Sequence, residues 1–263
     1  MAETQQSPGA AVCMRDKVSC SACCGIFNLR MTDSERMAWV QKNTDMFLAL
    51  DISEAAHIVA YRKDREGETL PRRIRDDIYT CPFVGFVDAG RTGSRTEQPR
   101  VAREPGTSVR TGCLLHPQGS PHPQIGLWQH PQNFSFYGEG ICLAYDCLAK
   151  ERRVYRADFF RWAETVSALK YGRLASDHTL HRTLAALHLG ETDLTEFYTL
   201  LAELYETNQV VTTSFEDVEK LLPETMEELC RFLAMRIAPA QAPQIIADLS
   251  FVWRSHTEDK SAS

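Results

Sequence analysis

The chain has 263 residues, is 43% apolar and 24% charged, and carries a net charge of −6. This is the balance of an ordinary soluble globular protein of one large or two small domains, without the basic excess of a nucleic-acid binder. No apolar run reaches the roughly 18 residues that span a bilayer. The opening MAETQQSPGAAV has no basic stretch followed by an apolar one, so a cytoplasmic protein with no membrane or nucleic-acid partner is expected.

In chain order, residues 1–11 are polar, and the segment from Cys13 to about Leu29 carries the first cysteines. The pattern predicts a helix over 33–48, capped by Thr32 or Asp33, with Met37, Val40, Met46, Phe47 and Leu50 on its apolar stripe. A second helix is predicted over 53–65, starting at Ser53. Residues 69–87 alternate around Ile74, Ile78 and Tyr79 and predict a short strand or hairpin. Residues 88–110 are rich in Gly, Pro, Ser, Thr and Arg and read as a loop. The Pro- and His-rich run 116–131 reads as irregular, because proline lacks a backbone donor and biases its neighbours towards extended forms.

From about residue 156 the character changes. Asp158, Phe159, Trp162, Val166 and Leu169 follow a helical period, and further helices fit 176–189, 193–208, 215–221, 223–237 and 241–254. Residues 1–150 balance 17 Lys/Arg against 17 Asp/Glu, whereas 151–263 hold 12 against 18, the source of the net charge. The predicted fold is mainly α. A loop-rich, metal-organised N-terminal region with little strand (12–150) packs on a C-terminal helical bundle (156–254).

The cysteines carry the functional signal. Cys13, Cys20, Cys23 and Cys24 form one group, Cys81 and Cys113 a second, Cys142 and Cys147 a third. Cys230 stands alone at helical spacing with Met226, Leu229 and Leu233 and reads as a core residue. In a reducing compartment such thiols point to soft-metal binding before disulfides. Cys20-Ser21-Ala22-Cys23 is a CxxC, which lets two thiolates on one turn meet one ion. Adjacent side chains diverge, so Cys23 and Cys24 imply either two neighbouring centres or one ligand and a spare. Four thiolates suit zinc and iron–sulfur equally.

The order Cys20-x-x-Cys23-Cys24-Gly25, Cys81-Pro82-Phe83, Gly112-Cys113-Leu114-Leu115-His116 and Cys142…Cys147 resembles the YkgJ-type cysteine-cluster family, described as zinc- or iron-chelating. It is also similar to the cluster of flagellin lysine-N-methylases. The resemblance spans about residues 13–147. Six residues separate Cys13 from Cys20, where the family motif has two. It implies a metal site built from Cys13, Cys20, Cys23, Cys24, Cys81, Cys113, Cys142 and Cys147. It also favours an iron–sulfur cluster, of the four-iron kind, over zinc. The helical half matches no motif, so methyltransferase activity is not carried over.

Other candidates are weaker. His116, His122 and His130 can replace a thiolate at zinc or at one iron, yet fit a solvated loop better. His178 and His181 are three apart on a predicted helix, where surface residues are the plainer reading. Phe134 to Gly138 is aromatic and reads as core packing, or as a shield for a cluster. HExxH, GxSxG, phosphate-loop and Rossmann motifs are absent from the sequence. The expected protein is a metal-binding one that holds iron–sulfur or zinc, supports redox or protein-modification chemistry, and acts on a protein partner or substrate. The alternative is a structural zinc protein whose helical half is an interaction module.

Overall fold

A computed structural model describes residues 18–87, 110–116, 120–122, 127, 131, 134, 155–177, 180–181, 184–185 and 193–211. Of these residues 54% are helical and 7% are strand, so the protein is mainly α. The elements are α1 (Asp33–Leu48), α2 (Ala55–Thr69), β1 (Val84–Phe86), β2 (Thr111–Cys113), α3 (Ala157–Ala163), α4 (Ala168–Ala175) and α5 (Thr195–Thr207). Short 3-10 turns lie at Ala22–Cys24 and Leu70–Arg72. No described helix is long and apolar enough to cross a membrane.

Helix α1 begins where the sequence places it because of a capping box. The Thr32 hydroxyl accepts from the Glu35 amide at 3.2 Å, and the Glu35 carboxylate accepts from the Thr32 amide at 2.7 Å. Of the expected apolar stripe Val40 and Phe47 are fully buried and Met37, Met46 and Leu50 pack partly buried against the core, but the fully buried face also takes polar residues. That face runs Arg36, Trp39, Val40, Asn43, Thr44 and Phe47, at helical spacing but half polar. The polar members are buried because each meets backbone from another segment. Asn43 Nδ2 donates to the Val84 carbonyl at 3.0 Å, and the Phe86 amide donates to Thr44 Oγ1 at 2.8 Å. Arg36 donates through Nε to the Ile26 carbonyl and through Nη2 to the Leu29 carbonyl, both at 2.9 Å.

These contacts lie along β1. On one edge β1 pairs antiparallel with β2, with Val84 opposite Cys113 and Phe86 opposite Thr111. On the other edge the side chains of α1 take the backbone groups of Val84 and Phe86. Of the short strand or hairpin predicted within 69–87, the short strand is present late in that stretch, paired with β2 across the predicted loop. The chain around Ile74 instead follows a single bridge between Leu29 and Arg73.

Helix α2 starts two residues later than predicted and runs four residues farther. Ser53 does not cap it: its hydroxyl and amide both donate to the Asp51 carboxylate, at 2.6 and 3.1 Å. Ile58, Tyr61, Arg65 and Thr69 form its buried face. The Tyr61 hydroxyl bridges the Asn43 and Pro82 carbonyls at 3.1 and 3.0 Å, and Arg65 Nε donates to Asn43 Oδ1 at 2.9 Å. A core of Phe47, Ile58, Tyr61, Phe83, Leu114, Leu115, Leu127 and Phe134 fills the space between α1, α2 and the strands.

In the C-terminal region the continuous period from 158 to 169 is broken into two helices. The Thr165 hydroxyl returns to the Trp162 carbonyl at 2.8 Å, and Ser167 caps α4 by accepting from the Lys170 amide at 3.3 Å. Phe159, Trp162, Tyr171 and Tyr198 form an aromatic core, with Phe159 stacked on Tyr171 at 5.6 Å between ring centres. Leu169 packs into the core that also holds Cys24, Phe27 and Val84, so the described parts of the two regions share apolar contacts. The predicted helices at 215–221, 223–237 and 241–254, with Cys230, lie outside the described residues.

Asn43 joins α1, α2 and β1, and this gives a testable outcome. Asn43→Leu leaves the Val84 carbonyl and the buried Arg65 guanidinium short of a partner and should cost about 2–4 kcal/mol in urea unfolding. Lys42→Ala, on the exposed neighbouring position, should change stability by less than about 0.5 kcal/mol.

Candidate thiol site

The CxxCC segment is held as a tight turn. The Cys24 amide donates to the Ser21 carbonyl at 3.0 Å, and the Gly25 amide to the Ala22 carbonyl at 2.8 Å. Gly25 ends the turn with φ +68°, a conformation L side chains rarely adopt. A Cβ there would lie 2.0 Å from the Tyr79 carbonyl oxygen. The missing side chain thus lets the turn lie directly on residues 79–81. The Cys81 amide then donates to the Cys24 carbonyl at 2.8 Å, and the Thr80 hydroxyl to the Gly25 carbonyl at 3.3 Å.

Asn28 fixes the same junction from the other side. Its Nδ2 donates to the carbonyls of Arg75 and Ile78 at 2.8 and 2.7 Å, and its Oδ1 accepts from the Arg75 amide at 2.8 Å. The turn is also tied to β2. Ser21 Oγ donates to Thr111 Oγ1 at 2.7 Å, and Ser19 Oγ to the Thr111 carbonyl. Thr111 and Cys113 lie two apart on one strand, on the same face.

Three distant segments therefore bring thiols together. Cys20, Cys23, Cys24, Cys81 and Cys113 are thiols, with Cys24 buried and the others partly so. A hydrogen bond with the Cys23 side chain is the main cause that raises the Cys24 thiol well above its ordinary pKa. Burial and charge repulsion from Cys23, Cys81 and Cys113 add to it. Burial pushes Cys81 up, with Cys113 the next largest cause. Cys113 is pushed up to about 11, mainly by burial.

One effect opposes burial at two of these sulfurs. The nearby backbone amides of Leu115 and His116 act against burial at Cys113, and that of Phe83 does so at Cys81. Amides so placed favour the anionic form. The Cys113–His116 segment is a turn, in which the His116 amide donates to the Cys113 carbonyl at 3.2 Å. Amide donation to a ligating sulfur is a lever on cluster potential.

The remaining predicted site residues fall in different places. The Cys20 thiol lies 3.5 Å from the Gly172 carbonyl on α4, to which it donates. Cys13, Cys142, Cys147, His130 and His178 lie outside the described residues. Burial lowers the pKa of both His116 and His122, and His122 Nε2 is buried with no partner among the described residues. His181 is not the surface residue its helical spacing suggested. It is 1% exposed, its ring centre lies 4.1 Å from that of Tyr155, and its Nε2 is 2.7 Å from the Leu174 carbonyl. Asp177 caps this helical segment and accepts from Tyr205 at 2.5 Å, which draws the segment inward. Phe134 packs in the core that also contacts Cys81 and Cys113.

Among the described residues no three His, Cys, Asp or Glu side chains are arranged to hold a metal ion. The thiols are within electrostatic reach of one another, and coordination would need the sulfurs to close on a common point. The residues that bring them together were not singled out in the sequence. Ser21, Asn28, Thr80 and Thr111 act through nonlocal partners, and only Gly25, directly after the cysteines, carried a local signal.

No protein family, no curated protein and no solved structure matches this chain.

Two measurements test this geometry. Gly25→Ala should destabilise the protein by at least about 2 kcal/mol, through the left-handed backbone and the clash with Tyr79. Gly67→Ala, on α2 where a Cβ meets nothing within 4 Å, should be neutral or stabilise by up to about 1 kcal/mol. The second concerns pH. The Cys113 thiol titrates near 9 when unfolded and near 11 when folded. Between these values the unfolded state binds fewer protons, so metal-free stability should fall as pH rises from 9 to 11. Cys113→Ala should flatten that fall in urea titrations.

Proposed function

We propose that the chain is a cytoplasmic metal-binding protein that holds an iron–sulfur cluster or zinc through clustered cysteine thiolates. The observation that carries this reading is the approach of the Cys24, Cys81 and Cys113 segments, joined by the Cys81 amide on the Cys24 carbonyl and by Ser21 on Thr111, with Cys81 packed against the apolar groups that hold the other cysteines. Apolar packing of unrelated cysteines gives no reason for that combination. The donor set fits a soft ion, because its described members are all sulfur.

Cys24, Cys81 and Cys113 would form the base of the site, with Cys23 beside them. Cys13, Cys20, Cys142 and Cys147 complete the proposed ligand set by resemblance to the cysteine-cluster family. An iron–sulfur cluster would supply one-electron chemistry and zinc would supply Lewis acidity or structure. The protein's own part is to hold the thiolates, donate hydrogen bonds to them and limit water. A protein is the proposed substrate or partner.

The closed character of the turn favours a second reading, a structural zinc site with the helical half as an interaction module. Such sites take every ligand from protein and contribute their binding energy to folding.

Protein purified without oxygen or chelator should contain zinc or iron by elemental analysis, and a visible absorption band would assign a cluster. Cys24→Ser and Cys113→Ser should each lose most of the metal and unfold at lower urea, whereas Cys230→Ala should retain it. Protein with neither zinc nor iron ends the proposal.

A further inference from the structure

The thiol turn does not stand alone: it is seated on helix α4. The Cys20 thiol donates to the Gly172 carbonyl at 3.5 Å, an oxygen that also takes the Ser176 hydroxyl at 2.9 Å. Gly172 leaves no slack. A Cβ on it would come within 3.3 Å of the Phe27 ring and 3.6 Å of the Ser21 amide nitrogen. The next residue, Arg173, is 1% exposed and lays its guanidinium over the Phe27 ring at 4.6 Å. Arg173 also donates to Asp33 Oδ1 at 2.6 Å, the same oxygen that Arg36 Nη1 reaches at 2.6 Å. Phe27 therefore lies against two buried cations, with Arg36 at 5.8 Å from its ring centre and Glu206 acting on Arg36 from α5.

Phe27 follows the thiol turn by two residues, and the Ile26 carbonyl between them is bound by Arg36. The turn from Ser21 to Gly25 is closed by its own hydrogen bonds, which tie its residues together. Coordination at about 2.3 Å per sulfur needs sulfurs within roughly 4 Å of one another around zinc. No three described side chains stand so arranged, so drawing these sulfurs onto one ion would press on the turn that carries Cys20, Cys23 and Cys24. Close-packed contacts do not deform smoothly; they shift between arrangements.

We infer that filling the thiol site is transmitted to helix α4 through the Cys20–Gly172 contact and the Phe27–Arg173 stack. The helical region then reads whether the site is filled. This inference rests on the thiol-centre reading above. It goes further in naming the element that responds and the residues that carry the response. The coupling is reciprocal: whatever holds α4 in the filled arrangement tightens metal binding by the same factor. Phe27 and Arg173 are positioning residues and touch no ligand.

Hydrogen–deuterium exchange on the full chain tests this. Reduced, chelator-treated protein is compared before and after one equivalent of zinc(II), with a parallel anaerobic arm given iron and sulfide. Filling should slow amide exchange in 168–177 by about tenfold, within the usual range of site-to-site coupling. Phe27→Leu should take up the same amount of metal and lose that response. If Phe27→Leu fails to fold, Arg173→Lys makes the same comparison, because it keeps the charge and loses the planar stack. Metal uptake with unchanged exchange in 168–177 overturns the inference and leaves the thiol centre standing. The same holds if the folded variant responds as fully as the parent chain. Uptake of neither zinc nor an iron cluster overturns the thiol-centre reading, and the inference falls with it.

Discussion

The arrangement of this protein depends on one close backbone approach. Gly25 lies against Tyr79 at a distance that no side chain permits, and in a left-handed conformation that few residues take. Everything that brings the first and second cysteine groups together follows from that contact. The Cys24–Cys81 backbone bond, the Thr80 hydroxyl bond and the Asn28 bonds to residues 75–78 all span the same seam. The side-chain bonds from Ser19 and Ser21 to Thr111 add β2, and with it Cys113. The thiol-bearing segments lie near one another because the backbone beneath them is fixed, and mutual attraction between buried thiols would not do this. Two ionised thiols there repel each other, so the fold works against a charge that a cation would offset.

Polar groups carry an unusual share of this core. Arg36, Arg65 and Arg173 are all essentially without exposure, and each is held by carbonyls, carboxylates or a ring face. A buried guanidinium is tolerated when its donors are matched, and it fixes geometry more tightly than an aliphatic chain of similar size. Burial together with the nearby Arg173 charge lowers Arg36 to about 10, the cost of crowding two cations on one carboxylate. The benefit is directional: α1, the thiol turn and α4 are aligned by a few bonds of fixed angle.

What could be read from the sequence divides along local and nonlocal lines. The bounds of α1 were legible because Thr32 and Glu35 write its start within four residues. The start of α2 was misread because Asp51, not the helix, captures Ser53. The apolar part of the buried face of α1 was legible, but its polar part was missed because Arg36, Asn43 and Thr44 look like surface residues until their backbone partners are known. Strand β2 was illegible, since Thr111-Gly112-Cys113 has no strand pattern of its own and exists by pairing with β1. For the thiol site, the residue types were legible from cysteine spacing, and the geometry was not. The amides that act on Cys81 and Cys113 lie within the Cys-Pro-Phe and Cys-Leu-Leu-His runs. His181 was misassigned to the surface because the buried Asp177–Tyr205 pair draws its segment inward.

The side chains of α1 along β1 have a further consequence. A two-stranded ribbon has two open edges, and each offers a row of amides and carbonyls to any passing chain. On the outer edge of β1 that row is already taken, by the Asn43 amide on Val84 and the Thr44 hydroxyl on Phe86. A helix thereby substitutes for a third strand without itself presenting a new edge. The two-stranded sheet is closed to growth on that side, and cross-chain strand addition there would first have to break two buried bonds. Two polar residues of the neighbouring helix thus blunt the Val-Gly-Phe edge as a template for strand pairing.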